Sequence, residues 1–235
     1  MSGPELRVVF GAGQVGLALA SRLAQSGSPV RSVSRRRPTS LPEGVDWCAA
    51  DAGDPEAAGA AAKGASVIYQ CLNAPYTQWP KQFPPLQRAV LSAAESTGAL
   101  LVSLENVYGY GPTGGAPMTE DLPLNATTSK GRVRAAMTAE LLAAAESGRV
   151  RITIGRASDF FGAGVTESTL GERVFANAVA GNALTSSATP SSPTPTVTFL
   201  TLRPAWPSSG VTSERSGRCG ISLVPKRSLP EQFST

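Results

Sequence analysis

The sequence predicts an α/β protein, a doubly wound parallel sheet with helices on both faces. Three observations carry that prediction. Short apolar runs alternate with helical segments from residue 6 to residue 155, the first run ends in a glycine cluster that opens a helix, and runs such as VVF and LLV have no polar face. Strands that alternate with helices imply βαβ units with right-handed crossovers. Strands that are apolar at successive positions suit a sheet covered on both sides.

LRVVF (6–10) is the first strand, stopped by glycine, and QVGLALASRLAQSG follows with apolar residues at helical spacing. PVRSV (29–33) and VDWCA (45–49) are the second and third strands, short runs bounded by glycine, proline or aspartate. A helix runs from Pro55 to Lys63, with proline at its first position, where it costs no hydrogen bond. SVIYQ (66–70) is the fourth strand, a helix covers Leu86–Ser96, and LLVSL (100–104) is the fifth strand. A glycine-rich loop, a helix over Arg132–Glu146 and RVRITIG (149–155) complete the pattern. The domain boundaries expected are 1–155 for the sheet domain, 156–184 for the start of a substrate-side region, and 185–235 for a tail.

At 235 residues, with 41% hydrophobic side chains, the chain is long enough for a sizeable core. It contains no histidine, which removes histidine acid–base catalysis and most zinc chemistry. Cys48, Cys71 and Cys219 have neither metal-like nor redox-like spacing, so no metal is expected and a reducing compartment is. The stretch LRVVFGAGQVGLALASRLA has some look of a signal peptide, but its glycines have a better use, and no run reaches membrane-spanning length. A cytoplasmic protein is expected. The isoelectric point near 9.2 does not point to nucleic acid. Of the net charge of +4, the segment from Thr185 onward carries +3, and no basic stripe interleaved with aromatics occurs. Expected partners are a small-molecule substrate, with no nucleic acid and no membrane; a homodimer stays open as the assembly.

The first turn carries chemistry. GAGQVG (11–16) has G-x-G-x-x-G spacing between a strand and a helix. Gly11 permits the tight turn, Gly13 lets the backbone approach a pyrophosphate, and Gly16 lets the helix pack on the strand. Gln14 and Val15 open the helix, whose unsatisfied N–H groups and positive end suit phosphate. This is the dinucleotide-binding pattern of a Rossmann fold. The end of the second strand helps to choose the cofactor. An NAD site places a carboxylate there for the ribose 2′-hydroxyl, whereas this chain reads Ser34, Arg35, Arg36, Arg37. Arginine forks a phosphate well, and no carboxylate repels it, so NADP(H) is favoured over NAD(H). A solvated basic loop is the alternative. Asp51 is placed to meet the adenine edge, and Leu72, Asn73 and Ala74 after the fourth strand line the cofactor cleft. Tyr76, Trp79 and Phe83 suggest either an aromatic-lined substrate pocket or loop packing.

With GAGQVG, the aspartate of AADAGD, LNA, SLENVYGYGP, Lys130 and IGRASDFFG, the first 183 residues resemble the short-chain dehydrogenase/reductase superfamily on its extended or atypical side, that of NAD-dependent epimerase/dehydratase proteins. The resemblance implies a nicotinamide-dependent oxidoreductase or epimerase acting on a sugar-nucleotide or another small carbonyl or hydroxyl compound. It also implies that Lys130 binds the nicotinamide ribose and lowers the pKa of a tyrosine four residues before it. That position is Ala126, and the position of the family's catalytic serine or threonine is Leu104. Tyr108 and Tyr110, after the fifth strand, are the candidate substitute acids, since a neighbouring cation lowers a phenol's pKa, or else Tyr108 packs the V-Y-G turn. Glu105 and Asn106 occupy the places of an acidic pair in sugar dehydratases and are candidate substrate residues with Tyr76. A binding protein that senses the redox state of NADP(H) without chemistry is the alternative reading, and an inactive truncated product of an enzyme gene is a third.

After residue 184 the sequence changes character. Of the 51 residues from Thr185 onward, 26 are Ser, Thr or Pro, without helical or strand period. This composition predicts disorder. A shifted reading frame also accounts for it: moved by one base, the codons for Thr185–Pro190 can spell a string containing an aromatic residue, and those for Pro193–Thr196 one containing a histidine. The substrate side is then expected to be truncated.

Overall fold

The computed structural model describes residues 5–114, 116–158, 160–161, 197–198 and 222–224. The strands are β1 (Leu6–Phe10), β2 (Val30–Ser34), β3 (Val45–Ala49), β4 (Ala65–Gln70), β5 (Leu100–Asn106), β6 (Arg151–Ala157), β7 (Phe160–Phe161), β8 (Val197–Thr198) and β9 (Ser222–Val224). The helices are α1 (Gln14–Gln25), α2 (Pro55–Ala62), α3 (Trp79–Thr97) and α4 (Ser129–Glu146). The main sheet has the order β3-β2-β1-β4-β5-β6-β9, and the pairs from β3 through β5 are all parallel. This is the doubly wound α/β fold that the alternation predicts. The chain divides into two compact units, Met1–Gly155 with Leu223–Thr235, and Arg156–Ser222. In the second unit β7 pairs in parallel with β8. Most of the segment after residue 184, expected to be disordered, lies outside the described residues; the five that are described there are extended.

Burial follows the period-2 alternation of a strand. On β1, Val8 and Phe10 are fully buried in one core with Val33, Ile68, Leu101, Leu141 and the alanines of α2 and α3. Val9, between them, is equally buried in a second core with Val30, Val45 and Ala20, against which Leu19 and Leu23 of α1 pack. Both faces are therefore dry over Val8–Phe10, as the apolar run VVF requires. Alanines of α2 and α3 make up much of the first core, and these two helices pack against each other.

Helix α3 starts seven residues before the expected Leu86. Pro80, Pro84 and Pro85 suggest a loop in the sequence, yet all three lie within the helix. Proline removes a donor and crowds the preceding turn. Here the carbonyls deprived of donors belong to Pro80 and Lys81, whose residues are exposed and open to water. One turn apart, Trp79 and Phe83 are buried with Ala74 and Met137, and that burial outweighs the proline penalty. The two rings thus belong to a small core rather than to a pocket wall.

The tightest packing lies between α1 and the end of β1. Gly11 has φ +105°, and a Cβ there would stand 2.6 Å from the Cys71 carbonyl oxygen. A Cβ on Gly16 would stand 1.8 Å from the Gly11 carbonyl oxygen. Neither neighbour can yield, because both are backbone. Gly16→Ala is expected to cost about 3 kcal/mol or more, at or above the upper end of overpacking penalties. Urea unfolding will show it as a lowered midpoint, and a loss below about 1 kcal/mol would mean that α1 shifts freely.

Candidate functional site

The loops after β1, β2, β4 and β5 all emerge at the carboxyl ends of parallel strands, the edge where such sheets bind ligands. The first of them has the form of an anion cradle. Gly13 is the N-cap of α1 and supplies no side-chain cap, and no acidic residue lies in the first turn. The leading N–H groups of α1 thus have no capping side chain, and a helix end of that kind attracts phosphate. Gly13 is exposed, and a Cβ built on it would meet nothing within 4 Å. Gln14 is exposed beside it, Val15 half-buried and Gly16 buried. Open space above Gly13, with tight packing beneath Gly11 and Gly16, fits a pyrophosphate lying on the turn.

At the end of β2, Ser34, Arg35 and Arg36 line a hollow of about 520 Å³ together with Ala12 of the glycine turn. Both arginines are exposed, and no carboxylate lines the hollow. The Ser34 hydroxyl accepts from the Trp47 indole N–H at 3.0 Å and donates to the Arg36 carbonyl at 2.8 Å. Its proton is therefore committed to the loop. Asp51, after β3, is exposed and accepts from the Gly53 N–H at 2.9 Å, a turn contact that leads into α2.

After β4, Leu72 is half-buried and Asn73 exposed, while Ala74 is buried and its carbonyl accepts from the Trp79 indole N–H at 3.0 Å. The thiol of Cys71, at the root of this loop, is pushed up to about 12 by burial, so it stays protonated and inert. Tyr76 follows, half exposed, its ring 5.2 Å from that of Trp79.

The fourth region lies between β5 and α4. A cavity of about 510 Å³ is lined by Tyr76, Tyr108, Val107, Met118, Ser129 and Lys130, among others. Tyr76, Tyr108 and Met118 are the exposed large apolar side chains among the described residues, and all three face this cavity. The Lys130 ammonium sits 4.0 Å from the centroid of the Tyr76 ring, within cation–π range. Thr128 caps α4 by accepting from the Gly131 N–H, which fixes the first turn and Lys130 with it. Tyr108 begins a 3-10 turn whose own N–H donates to the Asn106 side chain at 3.1 Å.

Glu105 is placed differently from the expectation that it meets substrate. It is almost fully buried, and the Thr138 hydroxyl of α4 donates to its carboxylate. Its neighbour in this interior is Arg134, also buried, with its guanidinium 4.6 Å from the Phe83 ring and 5.8 Å from that of Trp79. Gln87 of α3 donates to the Met137 carbonyl at 2.8 Å. This polar interior between α3, α4 and β5 is absent from the sequence reading. Its residues sit at helical spacing among apolar ones, and a charged residue on an inward face looks the same in sequence as one on a solvated face. Trp47, on the strand beside β2, also reaches this edge, through the bond from its indole N–H to Ser34.

Among the described residues no helix is long and apolar enough to cross a membrane, and no group of three or more acidic or cysteine side chains gathers as for a metal ion. No curated protein matches this chain. Solved structures share its fold. UDP-galactose 4-epimerase is 22% identical with a TM-score of 0.66, over 76% of this chain and 64% of its own. UDP-N-acetylglucosamine 4-epimerase from Bacillus cereus is 14% identical with a TM-score of 0.69, over 83% of this chain and 68% of its own. UDP-glucose 4-epimerase from Brucella ovis, solved in complex with NAD, is 18% identical with a TM-score of 0.62, over 68% of this chain and 53% of its own. The chain thus spans less than two thirds of the length of the first of these. The model of the NAD-dependent epimerase/dehydratase family matches residues 8–193, through the glycine turn, the β2 hollow and the Lys130 cavity, and this chain belongs to that family.

Proposed function

We propose that this chain binds NADP(H) along the carboxyl edge of its sheet and uses it as an oxidoreductase or epimerase on a small carbonyl or hydroxyl substrate, a sugar-nucleotide being the leading class. One observation carries the cofactor half: the uncapped N-terminus of α1, with open space over Gly13, adjoins a hollow lined by two arginines and no carboxylate. Pyrophosphate suits the first and a 2′-phosphate the second. The NAD held by the Brucella ovis epimerase supports a nicotinamide dinucleotide of either kind, and the three 4-epimerases named above support the substrate class.

When bound, the nicotinamide supplies or accepts a hydride. Lys130 has the place to hold the ribose hydroxyls beside it. A cation in the first turn of a helix opposes the helix dipole, so Lys130 does little for α4 and is better explained by a ligand. Tyr76 and Tyr108 share its cavity, and a phenol there can give or take a proton at a substrate oxygen in place of the tyrosine missing at Ala126. Asn106 borders the same loop. Asp51 and Asn73 remain the candidates for the adenine edge and the cleft wall.

A second reading, a protein that binds NADP(H) without chemistry, is favoured by Ala126 and Leu104, which replace both other members of the family's catalytic set. Turnover of UDP-sugars, read both as net oxidation or reduction of the dinucleotide and as interconversion of the sugar epimers, and measured on the full chain and on Tyr76→Phe and Tyr108→Phe, separates the two. Turnover that one of these variants abolishes supports the enzyme, and binding without any turnover supports the sensor.

NADPH is expected to bind more tightly than NADH in a fluorescence titration, and Arg35→Asp to abolish or reverse the preference, with a loss of about 1–3 kcal/mol for the charge-assisted contact. Equal or tighter NADH binding by the unaltered protein would refute the choice of cofactor. Lys130→Ala is expected to weaken dinucleotide binding even where no turnover is seen. Unchanged affinity would reduce Lys130 to a surface residue on α4.

A further inference from the structure

The β2 hollow owes its form to a residue on the neighbouring strand. β2 and β3 pair with Ser32 opposite Trp47, so Ser34 lies two residues further on the same face. The Trp47 indole reaches forward along its strand and donates to the Ser34 hydroxyl, which in turn donates to the Arg36 carbonyl. The backbone of the arginine loop is thereby tied to β3. The Arg37 guanidinium lies 5.9 Å from the centroid of the same indole, and Arg37 is not among the residues that line the hollow. One side chain thus clamps the loop at Arg36 and draws the third arginine to itself, leaving Arg35 and Arg36 at the hollow.

We propose that Trp47 is a positioning residue for 2′-phosphate recognition, acting through Ser34 on the Arg36 backbone and through its ring on Arg37. The proposal rests on the NADP(H) reading and adds to it that selectivity depends on a preset loop as well as on the presence of arginines. A loop held in its binding form avoids an ordering cost when the phosphate arrives. The Ser34 hydroxyl spends its single proton on Arg36, so its contribution is to hold the loop rather than to donate to the phosphate.

The test uses two probes without nicotinamide, 2′-phospho-ADP-ribose and ADP-ribose, titrated by calorimetry into the full chain and into Trp47→Phe, Ser34→Ala and the double variant. The ratio of the two affinities is the readout. Trp47→Phe keeps an aromatic ring, smaller than the indole, and removes the N–H, and it is expected to lower the preference for the 2′-phosphate about fivefold, the size of one net hydrogen bond. Ser34→Ala is expected to lower the same ratio by a similar factor, and the double variant to lower it no further than either, because both act in one chain of bonds. If the unaltered protein shows the preference and both single variants keep it, the positioning role is wrong while the NADP(H) reading stands. If the unaltered protein shows no preference, both fail. If the variants lose the two probes equally, Trp47 supports the fold and not the selectivity, and the proposal is likewise overturned.

Discussion

The carboxyl edge of the sheet depends on how closely α1 lies against the end of β1. A Cβ on Gly16 would stand 1.8 Å from the Gly11 carbonyl oxygen, and one on Gly11 would meet the Cys71 carbonyl at 2.6 Å. No side chain fits at either point, so β1, α1 and the β4 loop meet backbone against backbone. That contact aims the first N–H groups of α1 along the strand ends and leaves Gly13 facing open space. It also places Ala12 on the wall of the hollow that Arg35 and Arg36 line. This end of the cleft is therefore a product of backbone geometry, and the charged side chains that line its hollow, Arg35 and Arg36, follow directly on β2.

The other end is organised by side chains. Trp79 is its centre: its N–H holds the Ala74 carbonyl, and its ring lies 5.2 Å from Tyr76, 5.4 Å from Phe83 and 5.9 Å from Tyr108. Arg134 caps the stack from within, and Lys130 meets Tyr76 from the α4 side. The rings thus lie between a buried cation, Arg134, and one at the cavity, Lys130. Tyr76, placed by this stack, comes to Lys130 from the loop after β4, a part of the chain far from α4 in sequence. The absence of tyrosine at 126 therefore removes one source of a phenol near Lys130 without emptying the cavity of phenols.

Much of this was legible in the sequence because it rests on local rules. The glycine spacing, the missing carboxylate after β2 and the alternation of apolar runs each have a short-range cause, and the main strands fall within a residue or two of where those rules put them. Where the reading failed, a long-range contact had overruled a local signal. Prolines at 80, 84 and 85 argue for a loop, and only the burial of Trp79 and Phe83 against Met137, more than fifty residues away, makes that segment helical. Glu105 follows an apolar strand and looks aimed at the cleft, and only Thr138 of α4 shows that it turns inward.

The same distinction explains why the two ends of the cleft carry different information. A dinucleotide is recognised at its phosphates by backbone N–H groups and a helix end, which any sequence with the right glycines can present. The cavity at the other end is lined by side chains brought together from separate elements, the β4 loop, the β5 turn and the start of α4. Only the tertiary structure shows that Tyr76, Tyr108, Met118 and Lys130 face one cavity. Hence the glycine turn is legible from a few adjacent residues, while the cavity at the far end, with two tyrosines from two different loops, is legible only from the fold.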